Sequence, residues 1–183
     1  MLIIFIIFIL IILAIVVLSS LWIIDTLLGE EDFLTSKEAI QRISQIIVEH
    51  NCQNGLLYDL GSCRGAFVFG ILNVCPNLRV VGIDKSSLRT WFAKLLSLFH
   101  KNKNSPQFLK ANIFETDVSR IDLAFVYLPR PLLPALEIKL QKELKPGALV
   151  ITYRINLPNW QPIHVSLGDL SRDRNNIFIY QKP

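Results

Sequence analysis

The run YDLGSCRG holds Asp59, Gly61, Ser62, Cys63, Arg64 and Gly65 directly after a short apolar stretch. Gly61 permits a sharp turn where a ligand nears the backbone, and Gly65 lets a following helix pack close. About twenty residues on, Asp84 ends the next apolar run, at the spacing of a carboxylate that accepts the two hydroxyl hydrogens of a ribose. Asn112 follows the third run, where its amide can bond an adenine edge while Ile113 packs on the ring. Each has a purely structural alternative: turn glycines, a helix-capping Asp, a turn Asn. Their order, at successive strand ends, favours a nucleoside site. Gly61 and Gly65 are spaced GxxxG, and Cys63 stands where a dinucleotide loop, GxGxxG, would have its second glycine. The ligand expected is therefore S-adenosylmethionine, which has no pyrophosphate.

The elements that position these residues read as strands alternating with helices. Apolar runs at Leu56 to Leu60, Val80 to Ile83, Phe108 to Ala111, Ile121 to Tyr127 and Ala148 to Tyr153 imply a parallel α/β sheet. Leu88, Trp91, Phe92, Leu95, Leu96 and Phe99 form a helical stripe, and a further helix runs from about Leu132 to Leu144 before Pro146 and Gly147 stop it. Ile40, Ile43, Ile46 and Ile47 mark an earlier helix, with Thr35 and Glu38 at capping-box spacing. Ile163 to Leu167 and Ile177 to Tyr180, joined by a turn with Gly168, Asp173, Asn175 and Asn176, predict a closing antiparallel hairpin.

Ahead of this domain every residue from Leu2 to Leu18 is apolar, and Leu21 to Ile24 extend the run to the first charge, Asp25. That length crosses a bilayer core of ~30 Å as a helix. A signal peptide would carry a basic start and a shorter apolar run, so an uncleaved anchor with Trp22 at the interface is expected. The expected division is residues 1–24 as transmembrane anchor, 25–34 as linker with acidic Glu30, Glu31 and Asp32, and 35–183 as catalytic domain. Lys37 and Arg42 flank the anchor on one side and no Lys or Arg precedes it, which orients the domain to the cytoplasm, at a bacterial inner membrane or its equivalent. Cys52, Cys63 and Cys75 make neither a disulfide framework nor a metal-ligand spacing, and read as free thiols. A net charge of +4, with Lys and Arg spread along the chain, argues against nucleic acid as partner.

The chain resembles the seven-stranded, class I methyltransferases of Rossmann-like fold, and within them the membrane-anchored protein-lysine methyltransferases that modify the c-type ring protein of ATP synthase and the adenine nucleotide translocase, with bacterial relatives. The resemblance begins near Phe33. Beside YDLGSCRG, it is carried by IDLAFVYLPRPLLPALEIKLQKELKPGALVITYRINLPNWQP, with Tyr127, Leu128 and Pro129, and Pro158 before Trp160. It implies that Asp59, Gly61, Ser62 and Gly65 form the methionine-side loop, that Asp84 holds the ribose and that Asn112 lies by the adenine. It further implies that Tyr127 and Pro129 line the acceptor pocket. The family's loop reads GSGDGR, from which Cys63, Arg64 and Ala66 depart.

These features together predict a membrane-tethered enzyme that methylates lysine on a membrane or membrane-proximal protein. Methyl transfer needs chiefly an acceptor lone pair held in line, so positioning carries the catalysis and no residue stands out as a general base. The competing readings are methylation of RNA or of a small molecule, and an inert nucleoside-binding scaffold.

Overall fold

The computed structural model describes residues 1–28, 34–100, 104–168 and 175–183. The Trp22 side chain, Glu30, Glu31, Asp32, Phe33 and Asp173 lie outside the described residues. The chain divides into two units, Met1–Asp32 and Phe33–Pro183. Within the first, α1 (Leu2–Leu28) contains a strongly apolar stretch, Leu2–Ser20, of 19 residues. Length and composition allow it to cross a membrane, and a signal sequence has the same character.

The apolar runs of the second unit become β1 (Leu56–Leu60), β2 (Arg79–Asp84), β3 (Gln107–Lys110), β4 (Leu123–Val126), β5 (Leu149–Tyr153), β6 (His164–Ser166) and β7 (Ile177–Gln181). They join in one sheet of order β3-β2-β1-β4-β5-β7-β6. The first five are parallel; β7 runs antiparallel to β5, and β6 antiparallel to β7. The order reverses between β1 and β4, and in such sheets the crevice at the carboxyl ends of the reversal point takes the ligand.

Both sheet faces are covered, which is why β4 and β5 are buried along their whole length. Over one face lie α2 (Lys37–Glu49) and α3 (Ala66–Val74). Ile43, Ile47, Val68 and Ile71 meet Leu57, Phe125 and Ile151 there, and Phe67 stacks on Phe125 with centroids 3.6 Å apart. Over the other, Leu133, Leu136 and Leu140 of α5 (Leu133–Glu143) pack with Leu60, Val126 and Val150. Burial of each such side chain stabilises the fold by about 1.5–3 kcal/mol. No helix links β3 to β4; residues 111–122 cross between faces as turns, with Ile113, Val118 and Ile121 buried against the second face.

Two local expectations are corrected. Ser36, not Thr35, caps α2: its Oγ accepts the Ala39 N–H at 3.2 Å, because the helix opens one residue later than the capping-box spacing suggests. In α4 (Ser87–Ser97) the expected packing stripe is not what packs. Arg89, Thr90 and Ala93 face inward, while Trp91, Leu95, Leu96 and Phe99 are exposed. Arg42 ties α2 to the C-terminal strands, donating through Nη2 to Ser166 Oγ at 2.8 Å and through Nη1 to the Asn175 carbonyl at 2.9 Å.

Candidate active site

The register pairs Asp59 with Gly82 and Leu60 with Ile83, so the loops after β1 and β2 leave the sheet side by side. The N–H groups of Gly61 and Ser62 both donate to the Ile83 carbonyl at 2.9 Å. The Cys63 N–H donates to Asp84 Oδ2 at 2.9 Å, and the Ser86 N–H to Asp84 Oδ1 at 2.8 Å. Asp84 thus latches the first loop to the second, with further lone pairs on each carboxylate oxygen. The Gly65 N–H closes the loop on the Ser62 carbonyl at 2.8 Å.

This path requires glycine. Gly61 and Gly65 have φ of 94° and 85°, a region costly for residues with a Cβ. A Cβ on Gly61 would stand 2.4 Å from Leu128 Cδ2, and one on Gly65 2.6 Å from Phe108 Cζ. Gly82 is closed in the same way, since its Cβ would lie 2.8 Å from Ser62 Oγ. Cys63 adopts φ 49° without being glycine.

Two carboxylates are sunk beneath the loop. Asp59 is 3% exposed and Asp84 7%. Burial first, and the neighbouring Asp84 second, push the Asp59 carboxyl up to about 8. Arg89, 6% exposed, brings Nη1 to 3.7 Å from Cys63 Sγ. Sequence reasoning missed Arg89, since an arginine in a surface helix ordinarily points to solvent.

Asn112 sits one residue beyond Ala111, whose N–H donates to the Asp84 carbonyl at 3.0 Å. It is exposed, and its amide holds its own turn: Oδ1 accepts the Phe114 N–H at 3.1 Å and Nδ2 donates to Glu115 Oε1 at 2.9 Å. Tyr127 and Pro129 follow β4, joined to the β1 loop by Leu128, which fills the space above Gly61. The Tyr127 hydroxyl accepts from Arg154 Nη1 at 3.1 Å, and its ring meets Tyr153 edge-on at 5.0 Å. Arg154, at φ 64°, lies over the Tyr153 ring at 5.0 Å and donates through Nε and Nη2 to Asn175 Oδ1 at 3.1 and 2.9 Å. The structure therefore joins Gly61, Ser62, Gly65 and Asp84 by hydrogen bonds, with Asp59 buried near Asp84, Asn112 at one flank and Tyr127 with Pro129 at the other. Trp160 is half-buried against Tyr180, centroids 5.7 Å apart.

Glycine-shaped loops at the sheet reversal, a buried carboxylate after β2 and an aromatic flank after β4 define a methyltransferase that uses S-adenosylmethionine. The chain belongs to the family of the ANTKMT methyltransferase domain, whose model matches residues 59–164. It is 24% identical over 148 residues to a protein-lysine N-methyltransferase of Saccharolobus islandicus, covering 80% of this chain and 89% of that protein. The ATP synthase c-subunit lysine N-methyltransferases of Xenopus laevis and Homo sapiens are 23% and 24% identical, over 68% and 69% of this chain. The chain spans about half the length of these two, 54% and 53%. Among solved structures, an RNA methyltransferase from Salinibacter ruber in complex with S-adenosyl-L-homocysteine superposes with a TM-score of 0.71 at 22% identity, covering 82% of this chain and 94% of that one. At that identity the likeness shows the fold.

Proposed function

We propose that the chain transfers a methyl group to the side-chain amine of lysine in a membrane or membrane-proximal protein, with α1 as an uncleaved anchor and the catalytic domain in the cytoplasm. The observation that supports this reading is the contact of Leu128, which stands between Tyr127 and Pro129 in the chain, with Gly61 of the β1 loop. The relatives named for lysine methylation support the acceptor. Bound S-adenosylmethionine supplies an electrophilic methyl group. Asp84 accepts the ribose hydroxyls, Asp59 and the loop from Gly61 to Gly65 hold the methionine end, and Asn112 borders the adenine through the hydrogen left on its amide.

A lysine amine is neutral in only about one molecule in a few thousand at pH 7, which costs ~4–5 kcal/mol. Tyr127, Pro129 and Tyr153 offer an apolar, partly desolvated flank, and desolvation favours the neutral amine. Positioning of that lone pair then provides most of the rate.

The test is methylation of a membrane protein bearing exposed lysines by the full chain and by a chain lacking residues 1–28, read by mass spectrometry. Lysine methylation by the full chain, reduced on truncation while cofactor affinity holds, is expected. Methyl groups found on RNA or on small molecules, with lysines unmodified, would refute the acceptor.

A further inference from the structure

Helix α4 exposes the apolar residues that its sequence pattern would send to a core. Trp91 is 48% exposed, Leu98 77% and Phe99 76%. Trp91, Leu95 and Leu98 are spaced by four and three residues, so they share one side of the helix and its final turn. Ala93 packs inward, and the rings of Phe69 and His100, 5.2 Å apart, pin the end of that turn to α3. The outward residues are thus held in place with no apolar cover on their own side among the described residues.

The charge of the same stretch is one-sided. From residue 85 to residue 114 there is no Asp or Glu, while Lys85, Arg89, Lys94, Lys101, Lys103 and Lys110 are basic. Arg89 is buried, Lys94 and Lys110 are exposed, and Lys101 and Lys103 lie outside the described residues. β3, which carries Lys110, is the edge strand of the sheet, and Leu109 beside it is 43% exposed.

We propose that this face of the catalytic domain rests on an anionic lipid bilayer, with Trp91, Leu98 and Phe99 entering the interface and Lys94 and Lys110 meeting lipid phosphates. Aromatic and large aliphatic residues bordered by lysines, with no acidic residue among them, are the composition of an interfacial helix surface. A second copy fits poorly, because an isologous contact would set this positively charged stretch against itself. The same chain carries α1, long and apolar enough to cross a membrane, and only residues 29–36 separate Leu28 from Lys37. The inference stands apart from the choice of acceptor, and its readout involves no methylation.

The full chain is reconstituted with vesicles of phosphatidylcholine, with and without phosphatidylglycerol, in which part of the lipid carries brominated acyl chains. The emission of Trp91 is taken as the difference between the parent and Trp91→Phe. Quenching of that emission in phosphatidylglycerol vesicles is expected, and Lys94→Glu with Lys110→Glu should lower it by about half or more, since each basic residue adds to the attraction for an anionic surface. Unchanged affinity for S-adenosylhomocysteine shows that the variants are folded. Quenching of Trp91 that rises with phosphatidylglycerol content upholds the proposal whether or not Trp22 and Trp160, read together in the Trp91→Phe chain, are quenched as well. No quenching of Trp91 in either vesicle overturns it, as does quenching that follows the protein-to-lipid ratio instead of the phosphatidylglycerol content, or that is abolished by added RNA.

Discussion

The backbone N–H of Cys63 and the carboxylate of Asp84 meet at 2.9 Å, so one acidic side chain closes the β1 loop and, in the site proposed above, also faces the nucleoside. Asp84→Asn keeps one oxygen but turns an NH2 group toward one of the two backbone donors. Its affinity for S-adenosylhomocysteine should fall by about 1.5–3 kcal/mol, the worth of a charge-assisted hydrogen bond. Asp84→Ala should lose more. Calorimetric titration measures both, and parental affinity in Asp84→Ala would remove the residue from the site.

Asp59 makes binding and stability pH-dependent. Its folded pKa, about 8, lies above the ordinary 3.8, so the neutral acid is favoured in the fold. The stability this gives is complete below the ordinary value and declines as pH rises through the window to about 8. Asp59→Asn should flatten that decline in denaturant melts. A cationic cofactor draws the carboxyl toward its ionised form, so binding below the folded pKa should release a proton. Titrations in buffers of different ionisation enthalpy would register it, and equal apparent enthalpies would refute it.

Arg154 reaches the proposed acceptor side through the Tyr127 hydroxyl, to which it donates, and through the Tyr153 ring, over which it lies. Arg154→Ala should leave cofactor affinity intact while raising the acceptor KM by about tenfold, since ~1.4 kcal/mol corresponds to one decade. Tyr127→Phe, which keeps the ring and removes only the accepting oxygen, should produce part of this effect. An unchanged KM in both variants would detach the pair from acceptor binding.

Two glycines separate crowding from backbone strain. Gly82→Ala places a methyl group 2.7 Å from Phe108 Cδ1 and 2.8 Å from Ser62 Oγ, and overpacking of this kind costs about 1–3 kcal/mol. Gly147, at φ 81°, has nothing within 4 Å, so Gly147→Ala bears only conformational strain of about 1–2 kcal/mol. Only Gly82→Ala should also weaken cofactor binding, because Ser62 belongs to the loop. Melting temperatures and titrations of the two variants check this.

The strands were legible because composition and length agreed: Leu56 to Leu60 is a short, mostly apolar run that follows Gly55 and precedes Gly61, and it is β1 without a shift. The carboxyl-end logic similarly led to Asp59, Gly61 and Asp84, which the structure places at or just past the ends of β1 and β2. α4 was misread because an apolar stripe at helical period does not say what lies opposite it. At this sheet edge the small Ala93 and Thr90 fit beneath the helix, and Trp91 does not. Arg154 carried no signal, since Tyr127 and Asn175, which accept its hydrogen bonds, lie far from it along the chain.

The insertion of β7 between β5 and β6 has a consequence for biosynthesis. The loops proposed to hold the nucleoside follow β1, β2 and β3, which leave the ribosome early, whereas β5 must wait for Ile177–Gln181 to cover its far side. Until then its apolar LVITY segment is an open edge, the kind of template on which nascent chains associate. A chain ending before Ile177 would keep every residue assigned to the cofactor and still be prone to aggregate, so the hairpin guards the solubility of the newborn enzyme.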